Sequence, residues 1–223
     1  MLSCQQTCNE KDIVTNNKFP GDNKIMERHI TTPLTKDMVK EINAGDYVYI
    51  TGIIYTARDA AHLRLYDSIN KGENLPLDLN DQIIYYLGPT PAREGQVIGS
   101  AGPTTSSRMD KYTPSLLNMG MTGMIGKGKR SEEVIKAMKD NTAVYFAAVG
   151  GAGALLSKCI KKADVIAYDD LGTEAIRKLY VEDLPVIAVI DCKGNNIYER
   201  WYWQIKFCLL NYLIVKHINM VII

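Results

Sequence analysis

The chain has 223 residues, enough to bury a sizeable core within one domain. Its 26 Lys and Arg against 25 Asp and Glu leave a formal charge of +1, so composition gives no bulk electrostatic case for nucleic acid or an anionic membrane. Any anion site must therefore be local. The five cysteines, Cys4, Cys8, Cys159, Cys192 and Cys208, follow neither a disulfide framework nor a zinc spacing and suggest a reducing compartment.

In chain order, residues 1–32 are polar and read as a flexible N-terminal extension, neither a secretory signal nor a membrane span. Glu10, Asp12, Asp22 and Glu27 also argue against a transit peptide. Thr35 is a helix cap ahead of Met38, Val39 and Ile42, with Asn43-Ala44-Gly45 as the exit. Residues 47–55 form a strand, and Asp59 is placed to cap the helix continued by Ala60, Ala61, Leu63 and Tyr66. That puts Arg58 at a strand end beside a helix N-terminus, where anions are commonly held. Residues 82–87, rich in Ile and Tyr, form another strand ended by Gly88-Pro89-Thr90-Pro91, and residues 96–99 a brief one.

The second half alternates more cleanly. Ser131 caps a helix with Glu132 and Glu133 in its first turn and Val134, Ile135 and Met138 on its buried face. Residues 144–149 are a buried strand, and Gly150-Gly151-Ala152-Gly153 a tight turn into a helix holding Leu155, Leu156 and Ile160. Residues 165–168 are a strand, Thr173 caps a further helix, and residues 185–191 are the last strand. The alternation implies a layered α/β domain with some parallel pairing, expected over residues 33–200. Residues 201–223 are an apolar tail interrupted by Lys206, Lys216 and His217; an extra packing helix, a subunit contact and an ending from an altered reading frame all fit it.

Residues 99–110, Gly-Ser-Ala-Gly-Pro-Thr-Thr-Ser-Ser-Arg-Met-Asp, gather flexible glycines, paired hydroxyls and one arginine fork into a single loop. A polar surface turn has the same residue types, but Arg58 after the strand of residues 47–55 supplies a second anion-handling element. Gly126-Lys127-Gly128 lacks the spacing of a P-loop, and Gly150-Gly151-x-Gly153 is not a dinucleotide fingerprint. His62 fits a packed structural histidine and a site residue equally, Asp59 is a cap first and a ligand second, and Asp169-Asp170 reads as a solvated turn.

Taken together, Ala57-Arg58-Asp59-x-Ala61-His62, Gly102-Pro103-Thr104-Thr105-x-x-Arg108-Met109 and Gly126-Lys127-Gly128 resemble the β subunit, or C-terminal domain, of class I fumarate hydratase. The L(+)-tartrate dehydratase β subunit is similar almost as closely. The resemblance runs from about Leu34 to about Tyr198 and implies a swivelling three-layer β/β/α domain. It further implies a hydro-lyase subunit interconverting fumarate and (S)-malate, with tartrate dehydration as the alternative. Arg58, Arg108 and Lys127 would grip the dicarboxylate, Thr105 would orient a carboxylate, and Thr104 would transfer the proton at carbon 3. No metal ligands are expected here, because the cysteines are too scattered for a 4Fe-4S cluster. The cluster would belong to a partner α subunit in an α2β2 assembly of the cytoplasm. From a different class, the same arginines suit a non-catalytic carboxylate- or phosphate-binding module.

Overall fold

The computed structural model describes residues 26–148 and 153–199. In chain order these residues form β1 (Glu27–Thr31), α1 (Lys36–Glu41), β2 (Tyr47–Thr56), α2 (Asp59–Lys71), β3 (Ile83–Tyr85), α3 (Thr113–Asn118) and β4 (Gly123–Gly126). They continue with α4 (Glu132–Asn141), β5 (Val144–Ala147), α5 (Gly153–Leu156), β6 (Ile160–Ala167) and β7 (Ile176–Ile190). The architecture is α/β, as the alternation predicts. The pairs β1–β2, β2–β3, β3–β4 and β4–β5 are all parallel.

The sheet closes on itself. One edge of β2 carries β1 and β3, while its other edge runs antiparallel to β7 from Tyr47↔Ile187 to Thr56↔Arg177. β7 in turn pairs with β5, so β2, β3, β4, β5 and β7 form a small barrel with β1 and β6 appended. Closure removes the open edges of the strands inside the ring.

Burial on both faces follows from this shape. Ile50, Ile54, Tyr85, Ile125, Phe146, Leu179 and Val181 belong to one buried cluster, to which α1 adds Val39 and its C-cap residue Ile42. The alternate residues Ile84, Met124 and Tyr145 join a second cluster with Leu65 of α2, Leu116 of α3 and Val134 of α4. Strands covered twice read as continuous apolar runs, as in Ile83-Ile84-Tyr85, all three buried. Two of the four predicted caps stand: Thr35 Oγ1 accepts from the Met38 amide and Ser131 Oγ from the Val134 amide.

Several expectations need correction. Residues 27–31 belong to the sheet rather than to an extension, because β1 pairs in register with Tyr47–Thr51 of β2. Residues 96–99 are not a strand: the Gln96 amide donates to the Arg93 carbonyl and the Ser100 amide to Thr90 Oγ1, which closes loops instead of a ladder. The helix expected to reach Ile160 stops at Leu156, and a 3₁₀ turn, Ser157–Cys159, leads straight into β6. The helix expected after Thr173 is absent. Residues 169–174 form a kinked 3₁₀ segment, and β7 starts at Ile176, nine residues before the predicted strand.

That last error has a local cause. Relative to β2, β7 holds one extra residue between Val181 and Leu184, and Asp183 there has φ 46°. The bulge shifts the apolar alternation from Leu179 and Val181 to Leu184 and Val186, which breaks the two-residue period in the sequence. The expected extension over residues 1–25, the Gly150-Gly151-Ala152 turn and the tail of residues 201–223 lie outside the described residues.

Candidate active site

Three parallel neighbours end at the same edge of the barrel, where open α/β sheets commonly hold ligands. Arg58 lies two residues beyond β2, and Lys127 directly follows β4. Between them the hydroxyl loop is laced to the strand ends by its backbone. The Thr104 amide donates to the Tyr86 carbonyl at 2.8 Å, the Lys127 amide to the Thr104 carbonyl at 3.2 Å, and the Ser106 amide to the Lys127 carbonyl at 2.9 Å. Thr104 is half-buried, whereas Thr105, Arg108 and Lys127 are exposed.

The two arginines are joined through Asp59. Arg108 sits on the 3₁₀ turn Ser106–Met109, and its Nε donates to Asp59 Oδ1 at 2.8 Å. Asp59 Oδ2 lies 3.8 Å from Arg58 Nη2, which also approaches Glu174 Oε1 at 3.4 Å. Arg58 lies flat against Gly88: a Cβ added there would stand 2.3 Å from Arg58 Nη1. Lys127 makes no ion pair among the described residues. Among the described residues Arg108 is bonded through Nε alone, which leaves its two terminal amino groups for a bidentate carboxylate.

Two predicted roles change. The N-cap of α2 is Arg58, not Asp59, and the cap residue makes no side-chain bond to the helix. Asp59 is committed to Arg108, so the α2 start is served from elsewhere: Glu174 Oε2 accepts the Ala60 amide at 2.8 Å. His62 is fully buried rather than presented to the site surface. Its Nδ1 lies 3.0 Å from the Arg58 carbonyl, which also accepts the His62 amide, and its ring meets Tyr86 edge-on at 5.2 Å. Burial drives its pKa down to about 4; the bond to Arg58 opposes this and the nearby Arg130 charge adds to it. Arg58 Nε, Asp59 Oδ2 and His62 Nε2 are all buried without a hydrogen-bond partner among the described residues.

The Fumarase C-terminus family profile matches residues 4–201. The chain belongs to this family. It is 41% identical over 173 residues to a Methanocaldococcus jannaschii protein named "Putative L(+)-tartrate dehydratase subunit beta", covering 75% of this chain and 89% of that one. It is 40% identical over 184 residues to the aerobic class I fumarate hydratase of Salmonella typhimurium, 81% of this chain but 32% of the enzyme. The Leishmania major protein named fumarate hydratase 2 is 36% identical over 167 residues, 74% of this chain and 29% of that protein. The chain thus spans most of the archaeal protein and about a third of these fumarate hydratases.

In this family member the loop is braced from below by groups that the sequence reading did not single out. Arg130 is buried, with its Nε on Asp110 Oδ1 at 2.7 Å, its Nη2 on Thr113 Oγ1 at 2.7 Å and its Nη1 on the Tyr86 hydroxyl at 3.2 Å. The Tyr86 and Tyr145 rings flank it at 5.3 and 5.2 Å. Burial alone would lower its pKa, but Tyr86 and Asp110 more than reverse that, so the guanidinium stays charged. Asp110 also accepts the Ser131 amide, and Ser106 Oγ meets the Tyr145 hydroxyl at 2.8 Å.

The loop's upstream limb is held at Ala101, whose carbonyl accepts the Tyr85 hydroxyl and whose amide donates to the Gly153 carbonyl at 3.0 Å. Arg130 and Asp110 had a weak sequence signal, two opposite charges each lying just before a helix. Glu174 had none, because its partner amide lies 114 positions away.

Proposed function

We propose that the chain is the β subunit of a hydro-lyase that interconverts fumarate and (S)-malate. The observation that carries this reading is the convergence of Arg58, Arg108, Lys127, Thr104 and Thr105 at the ends of β2, β3 and β4, in a chain of this family. Two carboxylates need fixed cations. Among the described residues Arg108 offers a bidentate face, Arg58 a guanidinium set against Gly88, and Lys127 a point charge without an ion pair. A dicarboxylate held this way presents one edge to the hydroxyl pair, which satisfies the positional demand of elimination.

Malate loses a proton from carbon 3 and a hydroxide from carbon 2, which leaves fumarate and water. Thr104 is the proton carrier at carbon 3, and Thr105 orients a carboxylate by hydrogen bonding. A threonine hydroxyl is a poor base by itself, so Thr104 needs a carboxylate to receive its proton, supplied by the α subunit. The departing hydroxide needs a Lewis acid, for which the family resemblance implies a 4Fe-4S cluster.

The described residues do not fit such a cluster. No three His, Cys, Asp or Glu side chains gather, and Cys159 and Cys192 pack against different elements, at the Asp183 and Val39 carbonyls. The family resemblance implies that the cluster belongs to a partner α subunit, and we propose an α2β2 assembly in the cytoplasm. No described helix is long and apolar enough to cross a membrane. The closed barrel, with α2, α3 and α4 packed on one set of its faces and α1 on the other, is compatible with the swivelling three-layer β/β/α arrangement, for which we propose residues 33–200 as the catalytic unit with β1 appended.

L(+)-tartrate is the second reading, favoured by the near full-length match to the archaeal protein of that name. Anaerobic turnover of malate and of tartrate by the reconstituted complex separates the two, because pocket shape around the second hydroxyl sets the ratio. Thr104→Ala is expected to lower kcat at least about a hundredfold, the usual scale for an acid-base group. Arg108→Ala is expected to raise KM. Unchanged rates in both variants would leave the chain a non-catalytic anion-binding module.

A further inference from the structure

We propose that Glu174 is a positioning residue that sets the aim of Arg58, a claim that rests on the substrate-holding role given to Arg58 above. One carboxylate does two things at once. Its Oε2 accepts the Ala60 amide at 2.8 Å, which caps a helix whose own N-cap residue makes no side-chain bond. Its Oε1 lies 3.4 Å from Arg58 Nη2. The arginine at the helix start and the backbone of that start are thus tied to one group from a distant part of the chain.

The tie is selective. Among the described residues Arg58 Nε is buried without a hydrogen-bond partner, and Nη1 lies over Gly88, so Nη2 is the guanidinium atom held by carboxylates. Of those carboxylates, Asp59 stands farther off, its Oδ2 at 3.8 Å, while its Oδ1 is the oxygen bonded to Arg108. Glu174 therefore fixes the roll of the guanidinium about its stem.

Glu174 is itself held in place by several links. Arg177 donates to the Gly172 carbonyl at 2.8 Å and to the Thr173 carbonyl at 3.3 Å, and Arg64 pairs with Asp170. Thr56, the last residue of β2, accepts the Arg177 amide at 3.0 Å and donates to the Ala175 carbonyl at 3.4 Å. The strand end from which Arg58 departs and the segment that bears Glu174 are therefore one rigid unit. A planar fork must meet a carboxylate in its own plane, so its roll decides whether the bound acid is presented productively.

The test uses Glu174→Gln, whose amide oxygen still accepts from Ala60 while its NH2 faces Arg58 without charge. In the reconstituted complex, kcat is expected to fall about tenfold with KM not raised, because misorientation costs rate rather than attraction. The melting temperature should stay within about a degree of wild type, since the helix cap survives. Arg58→Lys combined with Glu174→Gln should be no slower than Arg58→Lys alone. Wild-type kinetics in Glu174→Gln, or fully additive losses, would overturn the proposal.

A second readout needs no activity. In the full-length chain alone, the side-chain Nε–Hε resonance of Arg58, assigned by its loss in Arg58→Lys, should shift or broaden in Glu174→Gln. An unmoved resonance refutes the positioning role. Absence of turnover in the wild-type complex refutes the hydro-lyase reading, and the resonance still decides the question for Glu174.

Discussion

His62 is neutral in the folded chain at ordinary pH because its burial leaves the proton unsolvated, and its pKa falls to about 4. An unfolded histidine takes up its proton near 6.5, so between about pH 6.5 and 4 the unfolded state binds the extra proton and gains on the folded one. The sign is fixed: this group's contribution is complete above about pH 6.5, falls as pH drops, and has cost on the order of 3 kcal/mol by about pH 4. Thermal melts from pH 7.5 to 4 should show a shallower decline for His62→Phe than for wild type. Parallel curves would show that the imidazole titrates normally. The sequence left His62 poised between core and site, and the structure places its ring in the buried interior. Arg58, Arg108 and Lys127 were legible as cations, but nothing in their spacing announced that Asp59 links the two arginines.

Among the elements, β4 was the least legible, because Gly123 and Gly126 carry no strand propensity. The glycines are there for space. A Cβ at Gly123 would stand 2.8 Å from Ile83 Cγ1, and one at Gly126 would stand 2.0 Å from Ser106 Oγ and 2.9 Å from the Tyr86 ring. The hydroxyl loop can cross the strand end only over a bare backbone. Gly126→Ala is therefore expected to destabilise the chain by about 1–3 kcal/mol, the usual range for overpacking. Adding Ser106→Ala should recover part of that loss, because it removes the closest atom. Urea unfolding of the two variants checks both statements, and failure of the second change to recover anything would place the strain elsewhere. The helices capped by Thr35 and Ser131 were legible because their signals are local. β7 was not, since a bulge and a kinked 3₁₀ entry both disturb its period.

Taken as a whole molecule, the barrel gathers Arg58, Lys127 and the hydroxyl loop at one rim. On the half-site reading proposed above, the chain alone should bind L-malate only at about millimolar Kd or weaker by calorimetry, because a half-site is poorly preorganised. Micromolar binding without a partner would favour the autonomous anion-binding module. The α/β class was legible from alternation, whereas closure was not, because it depends on one pairing between β2 and β7 that joins distant parts of the sequence.

That pairing also dictates a schedule for synthesis. Roughly 120 residues separate the end of β2 from the start of β7, and a ribosome takes about 6 to 24 s to add them. Throughout that interval one edge of β2 has no ladder to join, and the nascent chain carries a sticky ten-residue strand. Glu174 emerges just ahead of the closing strand, so the guanidinium of Arg58 waits for its brace until the barrel shuts. A newborn chain captured early by a partner would be captured with its substrate rim still unset.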